Sequence, residues 1–317
     1  MSHRYGDERI VEWLAENNYH PRSPAHGSAS CLFLLDDLLH ESKPFREAAQ
    51  AGKIVYEEDH NVGDGDSKWN VDLVVGPAKD ASDIQTKLGS DRQIVQAEPD
   101  EVWLAIDAKS VMTEHGKARR NRQRDINSFA DIMHSHYPGA VTGGVLLINH
   151  ADRFKSPLRD EDDITEHDRI TDLVSETVDI FRDINRATGK VSPNVDGVGC
   201  VVVEHTNIDD DCETRLVTNP PAPQRGDIVE YHEFLEIILD VLEERWLIGE
   251  RPDISDLATN SDLRSVLNQQ VVDLARAAHD VGQEIQNENI TQGELNSLKT
   301  EIEEFEAIVE EIDRRFS

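Results

Sequence analysis

Three residues in the first half of the sequence have the types and spacing that phosphodiester hydrolysis requires. Asp72 interrupts an apolar stretch, and Asp107 follows the apolar run 102–106, with Lys109 two residues later. Side chains two residues apart in a strand share a face, so Asp107 and Lys109 are expected to point the same way. Mg²⁺ typically takes one or two protein carboxylates and can make a bound water nucleophilic. These residues therefore predict a Mg²⁺ site, with Asp72 and Asp107 as acids and Lys109 beside them.

Structural explanations of the same residues remain open at this point. Asp107 and Lys109 could mark the exposed end of an edge strand, or Asp72 and Lys109 could form an ion pair. Burying either charge unpaired in such strands would cost several kcal/mol. An Asp-x-Lys tripeptide is common by chance, so the surrounding elements decide between these explanations.

The elements predicted around these residues alternate between helix and strand. Residues 30–51 predict a helix followed by a shorter helical turn, and 116–136 predict a long helix with apolar residues on one face. Residues 78–100 are polar and weakly patterned, which indicates a surface insertion. The remaining expectations are strands at 53–57, 69–75, 102–109, 141–149 and 199–204, and helices at 164–188 and 231–246. This order predicts an α/β fold with a mixed central sheet.

The order helix, three strands, helix, strand resembles the αβββαβ core of the restriction-endonuclease-like (PD-(D/E)xK) nuclease superfamily, most closely a type II restriction endonuclease. The resemblance covers about residues 30–150. It implies that Asp72, Asp107 and the main-chain carbonyl of Ala108 hold Mg²⁺, while Lys109 orients or deprotonates the attacking water. A further acid on the first helix often joins such sites, and Glu47 and Glu41 are the candidates. The sequence departs from the motif in lacking Pro before Asp72 and in the long insertion between the two acids.

A basic cluster follows the second acid in a chain that is otherwise acidic. It lies at the start of the predicted helix 116–136, where the helix N-terminus also favours anions. A solvated basic face, or arginines paired with nearby acids, is the alternative to phosphate binding. The residues expected to bind DNA phosphates are Lys117, Arg119, Arg120, Arg122 and Arg124.

The overall charge argues against nucleic acid, because 64 acidic and 32 basic residues give a formal net charge of -32. Phosphate contacts are made by Lys and Arg and weaken with salt, so any DNA binding must depend on local features. The acids are spread along the chain, which is typical of halophilic proteins rather than of an acidic tail. No signal segment or membrane-length apolar run is evident, so the sequence predicts a cytoplasmic location without membrane contact.

The sequence predicts two domains, residues 1–250 and residues 251–317. The second domain contains two heptad patterns. These patterns predict a C-terminal α-helical hairpin, which either folds on itself or supplies a homodimer contact. No P-loop follows the glycines at 63 and 65, so no nucleotide cofactor is expected. Three functions remain: a site-specific endonuclease acting on double-stranded DNA in restriction or defence, a structure-specific DNA repair nuclease, and a non-catalytic DNA-binding or assembly protein.

Overall fold

The protein divides into two compact units, Met1–Ile248 and Gly249–Ser317. The computed structural model describes residues 3–63, 69–79, 93–113, 115–158, 160, 164–187, 192–208, 214–247 and 302. Apart from residue 302, the predicted C-terminal hairpin, with any homodimer contact through it, therefore lies outside the described residues. The predicted boundary after residue 250 lies two residues from the division between the units. None of the described helices combines the length and apolar character that crossing a membrane requires.

The described part of the first unit begins with three helices, and groups of strands separated by single helices follow. The helices are α1 (Gly6–Asn17), α2 (Ala25–Glu41), α3 (Lys43–Gln50), α4 (His115–His136), α5 (Ile170–Arg182) and α6 (Tyr231–Leu242). The strands are β1 (Ile54–Val62), β2 (Trp69–Pro77), β3 (Val95–Gln96), β4 (Leu104–Val111), β5 (Val141–Asn149), β6 (Arg153–Lys155), β7 (Ile164–Glu166), β8 (Gly197–Glu204) and β9 (Arg215–Leu216). A π-helical turn, Glu243–Leu247, follows α6 directly.

In the described part of the chain, seven strands form one mixed sheet in the order β3-β1-β2-β4-β5-β8-β9. Strands β1, β2 and β4 are joined antiparallel, whereas β4, β5 and β8 run parallel. The two short strands at the edges, β3 and β9, have two residues each. The predicted α/β class with a mixed central sheet is therefore confirmed. Strands β6 and β7 form a separate antiparallel pair.

Helices cover both faces of the sheet, which explains why β5 is buried along its whole length. On one face, Leu73 and Ile106 pack with α2 and with Phe234 of α6. On the other face, Val74 and Ala105 pack against Phe129 of α4. A sheet buried on both faces needs near-continuous apolar strands, as the sequence of β5 shows.

Gly199 of β8 allows α6 to lie close to the sheet. A Cβ atom at this position would stand 2.6 Å from Cδ1 of Phe234. The missing side chain therefore leaves the space that the Phe234 ring fills. Phe234 is fully buried there.

Side chains of the π-helical turn bind residues at the end of the sheet where the parallel strands begin. Arg245 Nη2 lies 2.6 Å from Asp196 Oδ1, and these side chains are 6% and 2% exposed. Trp246 stacks on Trp103 at 5.3 Å between ring centroids and donates from Nε1 to the carbonyl of Gly139 at 3.0 Å. These contacts fix the last described turn before the second unit.

Several element predictions need correction. The helix predicted at 164–188 spans only Ile170–Arg182, because Ile164–Glu166 pairs with Arg153–Lys155 as a strand. Helix α1 is absent from the sequence-based expectations, since only Ile10 and Leu14 supply its buried apolar positions. The insertion at 78–100 contributes β3 through its residues Val95–Gln96, whereas its residues 80–92 lie outside the described residues.

Candidate active site

The candidate site lies where β2 and β4 separate. Their pairing ends at Leu73 and Ile106, whereas β4 continues to pair with β5 as far as Val111. Beyond Ile106, β2 no longer forms backbone hydrogen bonds with β4. The Asp72 side chain replaces one of these bonds, because its Oδ2 accepts from the amide of Ala108 at 2.7 Å. The amide and carbonyl of one strand residue point to the same side. The carbonyl of Ala108 therefore also faces this opening.

Asp107 and Lys109 point the same way, as their two-residue spacing predicts. Lys109 Nζ donates to Asp107 Oδ1 at 2.6 Å and lies 3.4 Å from the carbonyl oxygen of Ala108. Asp107 is fully buried on a central strand, so the edge-strand explanation is wrong. The ion pair of Lys109 is with Asp107, rather than with Asp72.

The second oxygen of Asp107, Oδ2, is buried and has no hydrogen-bond partner among the described residues. A buried carboxylate oxygen without a donor is costly, and native structures normally satisfy such groups or coordinate a cation with them. Because the Asp107 and Asp72 carboxyl groups also lie within hydrogen-bonding reach of each other, either a shared proton or a bound cation is needed between the two acids.

The two acids also perturb each other. Burial raises the pKa of Asp107 to about 7, an effect that the Lys109 ammonium opposes and the Asp72 carboxylate reinforces. Burial likewise raises the pKa of Asp72, while Lys109 and the amide of Ala108 lower it. The Asp72 carboxylate raises the pKa of Asp107, whereas a hydrogen bond between the two side chains lowers the pKa of Asp72, so the two carboxyl groups are close neighbours.

The donor set fits a hard cation that keeps part of its water. Two carboxylates and a main-chain carbonyl are the oxygen ligands that Mg²⁺ accepts, and water and substrate supply its other ligands. Among the described residues there is no group of three or more His, Cys, Asp or Glu side chains that could enclose a metal ion. Asp72, Asp107 and the Ala108 carbonyl could thus hold Mg²⁺ on one side only.

The two further acids suggested by the resemblance lie elsewhere. Helix α2 approaches the site at Gly27, where a Cβ atom would be 3.8 Å from Asp72 Oδ1. Glu41 lies fourteen residues later, about 21 Å along the helix at ~1.5 Å per residue. Glu41 accepts from the hydroxyl of Tyr5, and Glu47 pairs with Lys43 at 3.7 Å. The structure therefore does not bring Glu41 or Glu47 to Asp72.

The basic cluster at the start of α4 divides into three parts. Arg122 turns toward β4, where Nε donates to the carbonyl of Ser110 at 3.3 Å and Nη1 to Asp125 at 2.9 Å. Arg119 turns toward α5 and pairs with Glu176 at 2.5 Å, so it leaves the expected phosphate-binding group. Lys117, Arg120 and Arg124 are exposed on one face, and no ion pair joins them to another described residue.

Residues that the sequence did not single out complete the surroundings of Lys109. The hydroxyl of Tyr19 is hydrogen-bonded to Ser110 Oγ at 2.9 Å, and the centroid of its ring lies 4.8 Å from that of His26. Nδ1 of His26 has no hydrogen-bond partner among the described residues. The pKa of His26 is lowered to about 4, first by burial and in addition by the charges of Arg122 and Lys109. No local pattern marks Tyr19 or His26, because tertiary contacts alone bring them to β4.

The assembled geometry offers carboxylate oxygens for a cation, an ammonium beside them and arginine and lysine side chains on the adjoining helix. Such a combination can neutralise and orient a phosphate group next to a metal-bound water. Comparisons of the chain with protein-family models, with curated proteins and with solved structures find no match.

Proposed function

We propose that this chain is a Mg²⁺-dependent endonuclease that hydrolyses phosphodiester bonds in double-stranded DNA. The observation on which the proposal depends is the buried Asp107 carboxylate, whose Oδ2 lacks a partner among the described residues while Asp72 and Lys109 lie beside it. A bound cation would compensate the negative charge of the Asp107 carboxylate and would also be coordinated by the neighbouring Asp72 carboxylate.

Each side chain has a distinct part in the proposed reaction. Asp72 and Asp107 supply ligand oxygens, and the amide of Ala108 holds Asp72 in its orientation. When bound, Mg²⁺ would neutralise charge on the scissile phosphate and lower the pKa of the attacking water. The ammonium of Lys109 would orient that water and stabilise the developing charge.

The exposed row Lys117, Arg120 and Arg124 would bind backbone phosphates next to the site. Residues three and four apart share a helix face, so these cations can follow one strand of a duplex. Phosphate contacts position DNA without reading its bases. The restriction function remains part of the proposal because of the resemblance of the core to type II restriction endonucleases, with structure-specific repair as the alternative within the same chemistry.

A non-catalytic DNA-binding protein is the second candidate. The observation that favours it is the 2.6 Å ion pair between Lys109 and Asp107, which gives both residues a structural partner. That ion pair accounts for Asp107 Oδ1 but leaves Oδ2 without a partner among the described residues. The nuclease is the better supported function, because a bound cation would account for both oxygens.

Plasmid cleavage with Mg²⁺ over a range of KCl concentrations tests the proposal. Wild type should cut, whereas Asp107→Asn and Lys109→Ala should reduce the rate by at least about a hundredfold, since even indirect changes around a metal cost about 10–100-fold. Asp131→Asn, an exposed acid on α4, is the matched control and should cut normally. DNA binding without cleavage by wild type would instead establish the non-catalytic candidate.

The pattern of products distinguishes the two nuclease functions. Fragments with discrete ends from an unmodified plasmid would support restriction. Cleavage confined to branched or damaged DNA would support repair.

A further inference from the structure

Strand β4 has an unusual environment at the candidate site. From Asp107 to Val111 it pairs with β5 on one side only, because its pairing with β2 has already ended. On the open side, side chains replace the strand ladder. Asp72 binds the amide of Ala108, and Arg122 binds the carbonyl of Ser110.

Tyr19 contacts the same segment of β4, but through the side chain of Ser110 rather than through the backbone. Its hydroxyl lies 2.9 Å from Ser110 Oγ, next in sequence to Lys109, and Tyr19 is itself only 7% exposed. The ring packs against His26 and, at 6.0 Å between centroids, against Phe154. Tyr19 thus contacts Ser110 of β4 and also the side chain of His26, which lies near Lys109.

Asn207 holds the backbone of Tyr19 from beyond the end of β8. Its Oδ1 accepts from the amide of Tyr19 at 2.8 Å, and its Nδ2 donates to the Tyr19 carbonyl at 3.1 Å. The same Nδ2 donates to the carbonyl of Lys155 at 2.8 Å. Asn207 adopts a left-handed backbone conformation, with φ 56°, which Asn tolerates better than most residues. Both polar atoms of the Asn207 amide group therefore bind the backbone of Tyr19, which lies in the α1–α2 connection.

We propose that Tyr19, whose backbone is bound by Asn207, is a positioning residue of the candidate nuclease site: its bond to Ser110 holds the segment of β4 that pairs with β5 alone and presents Lys109 and Ala108. The inference rests on the proposed function and extends it to residues outside the metal site. Tyr19 does not touch the reacting atoms. It acts through the strand, because a strand held on one side only can shift and a misplaced catalytic group slows the reaction steeply.

Removal of the hydroxyl alone tests the inference. In Tyr19→Phe the ring and its packing remain, so DNA affinity measured with Ca²⁺ in place of Mg²⁺ should change less than about twofold. The single-turnover cleavage rate should fall about tenfold, which corresponds to the removal of one hydrogen bond of ~1.4 kcal/mol from the transition state. Ser110→Ala removes the same bond from its other end and should give a similar decrease.

The double variant Tyr19→Phe with Ser110→Ala should be no slower than the slower single variant, because both changes remove one interaction. Asn207→Gly keeps the left-handed backbone accessible but removes the amide, and should also lower the rate while DNA affinity is retained. Ser135→Ala is the control, since it removes a hydroxyl bonded to the carbonyl of Asp131 on the surface of α4. Its rate should equal that of wild type.

The outcomes separate this inference from the proposed function. If wild type cleaves and Tyr19→Phe cleaves equally fast, the inference is wrong and the nuclease proposal stands. The positioning role would likewise be overturned if the rate decreases of the two single variants multiplied in the double variant. It would also be overturned if Tyr19→Phe lowered the melting temperature but left the cleavage rate unchanged at temperatures where the protein is folded. A wild type that does not cleave under any condition overturns both.

Discussion

Asp107 is enclosed by protein, with one oxygen on Lys109 and the other without a described partner. The sequence predicts the meeting of Asp107 and Lys109 because strand geometry is periodic, and it predicts Asp72 because the acid interrupts an apolar strand. It does not predict Tyr19, whose partner Asn207 is 188 residues away. Pairing at that distance depends on the completed fold, which local periodicity does not encode.

A cation bound at Asp107 should stabilise the native protein. At ten times its dissociation constant, Mg²⁺ would add about 1.4 kcal/mol to the free energy of unfolding. We expect thermal denaturation to show a Mg²⁺-dependent rise of several degrees for the first unit. Asp107→Asn should remove this rise, whereas Asp131→Asn should retain it. An equal rise in the Asp107→Asn protein would place the stabilising ion elsewhere.

The buried thiols give a second prediction at the scale of residues. Burial raises the pKa of Cys200 to about 12 and raises that of Cys31 well above its usual value. Because the thiolate is the reactive form, both should resist iodoacetamide at about pH 8 in the folded protein and react in guanidinium chloride, where the pKa returns to ~8.5. Peptide mapping by mass spectrometry separates these two from Cys212. Rapid labelling of Cys31 without denaturant would contradict its burial.

At the scale of elements, the sequence predicts long periodic segments and misses short ones. Helix α4 and strand β5 are found within one residue of their predicted bounds, since many apolar positions define each. Strands β3, β6, β7 and β9 have two or three residues, too few to show a period. They form because a neighbouring strand offers hydrogen bonds, and sequence alone does not show that neighbour.

Helix α4 should bind DNA through its exposed row and not through Arg119. Replacing Lys117, Arg120 and Arg124 together with Gln should weaken DNA binding and reduce the slope of log affinity against log salt by about 0.9 for each phosphate that is no longer neutralised. Fluorescence anisotropy across a KCl series measures both. Arg119→Gln should leave the slope unchanged, because Arg119 pairs with Glu176. A similar fall in slope for Arg119→Gln would show that its side chain turns outward to DNA.

The π-helical turn should depend on its buried ion pair. Arg245→Met would leave Asp196 buried without its cation, at a cost of about 3–5 kcal/mol in the free energy of unfolding. Adding Asp196→Asn should recover part of this stability, since the amide oxygen can still accept from the amide of Thr142. Denaturant unfolding monitored by tryptophan fluorescence follows the stack of Trp246 on Trp103. Equal stability of Arg245→Met and wild type would show that the pair contributes little.

For the whole molecule, the net charge of -32 makes stability depend on salt. The Debye length falls from about 10 Å at 0.1 M to about 3 Å at 1 M, so KCl should screen the repulsion between surface acids. We expect the melting temperature to rise steadily from dilute buffer to molar KCl, and to rise much less with sorbitol of equal osmolality. A melting temperature independent of KCl would argue against adaptation to high salt.

The same screening also weakens any attraction between cations and phosphates. DNA binding at molar salt would have to use few ionic contacts and more hydrogen bonds, and the exposed row on α4 is short enough to agree with that requirement. Cleavage measured across the KCl series should therefore pass through a maximum, where the increase in folded protein and the decrease in DNA affinity balance.

The two-residue strands at the sheet edges have a consequence for colloidal behaviour. In concentrated salt, like charges no longer keep copies of a protein apart, and an exposed strand edge can recruit the edge of another copy. Strands β3 and β9, with two residues each, offer a foreign strand very little ladder. We therefore expect β3 and β9 to recruit few foreign strands even where electrostatic repulsion is screened, and any strand exchange in concentrated salt to use the part of β1 beyond Tyr56, with which β3 does not pair.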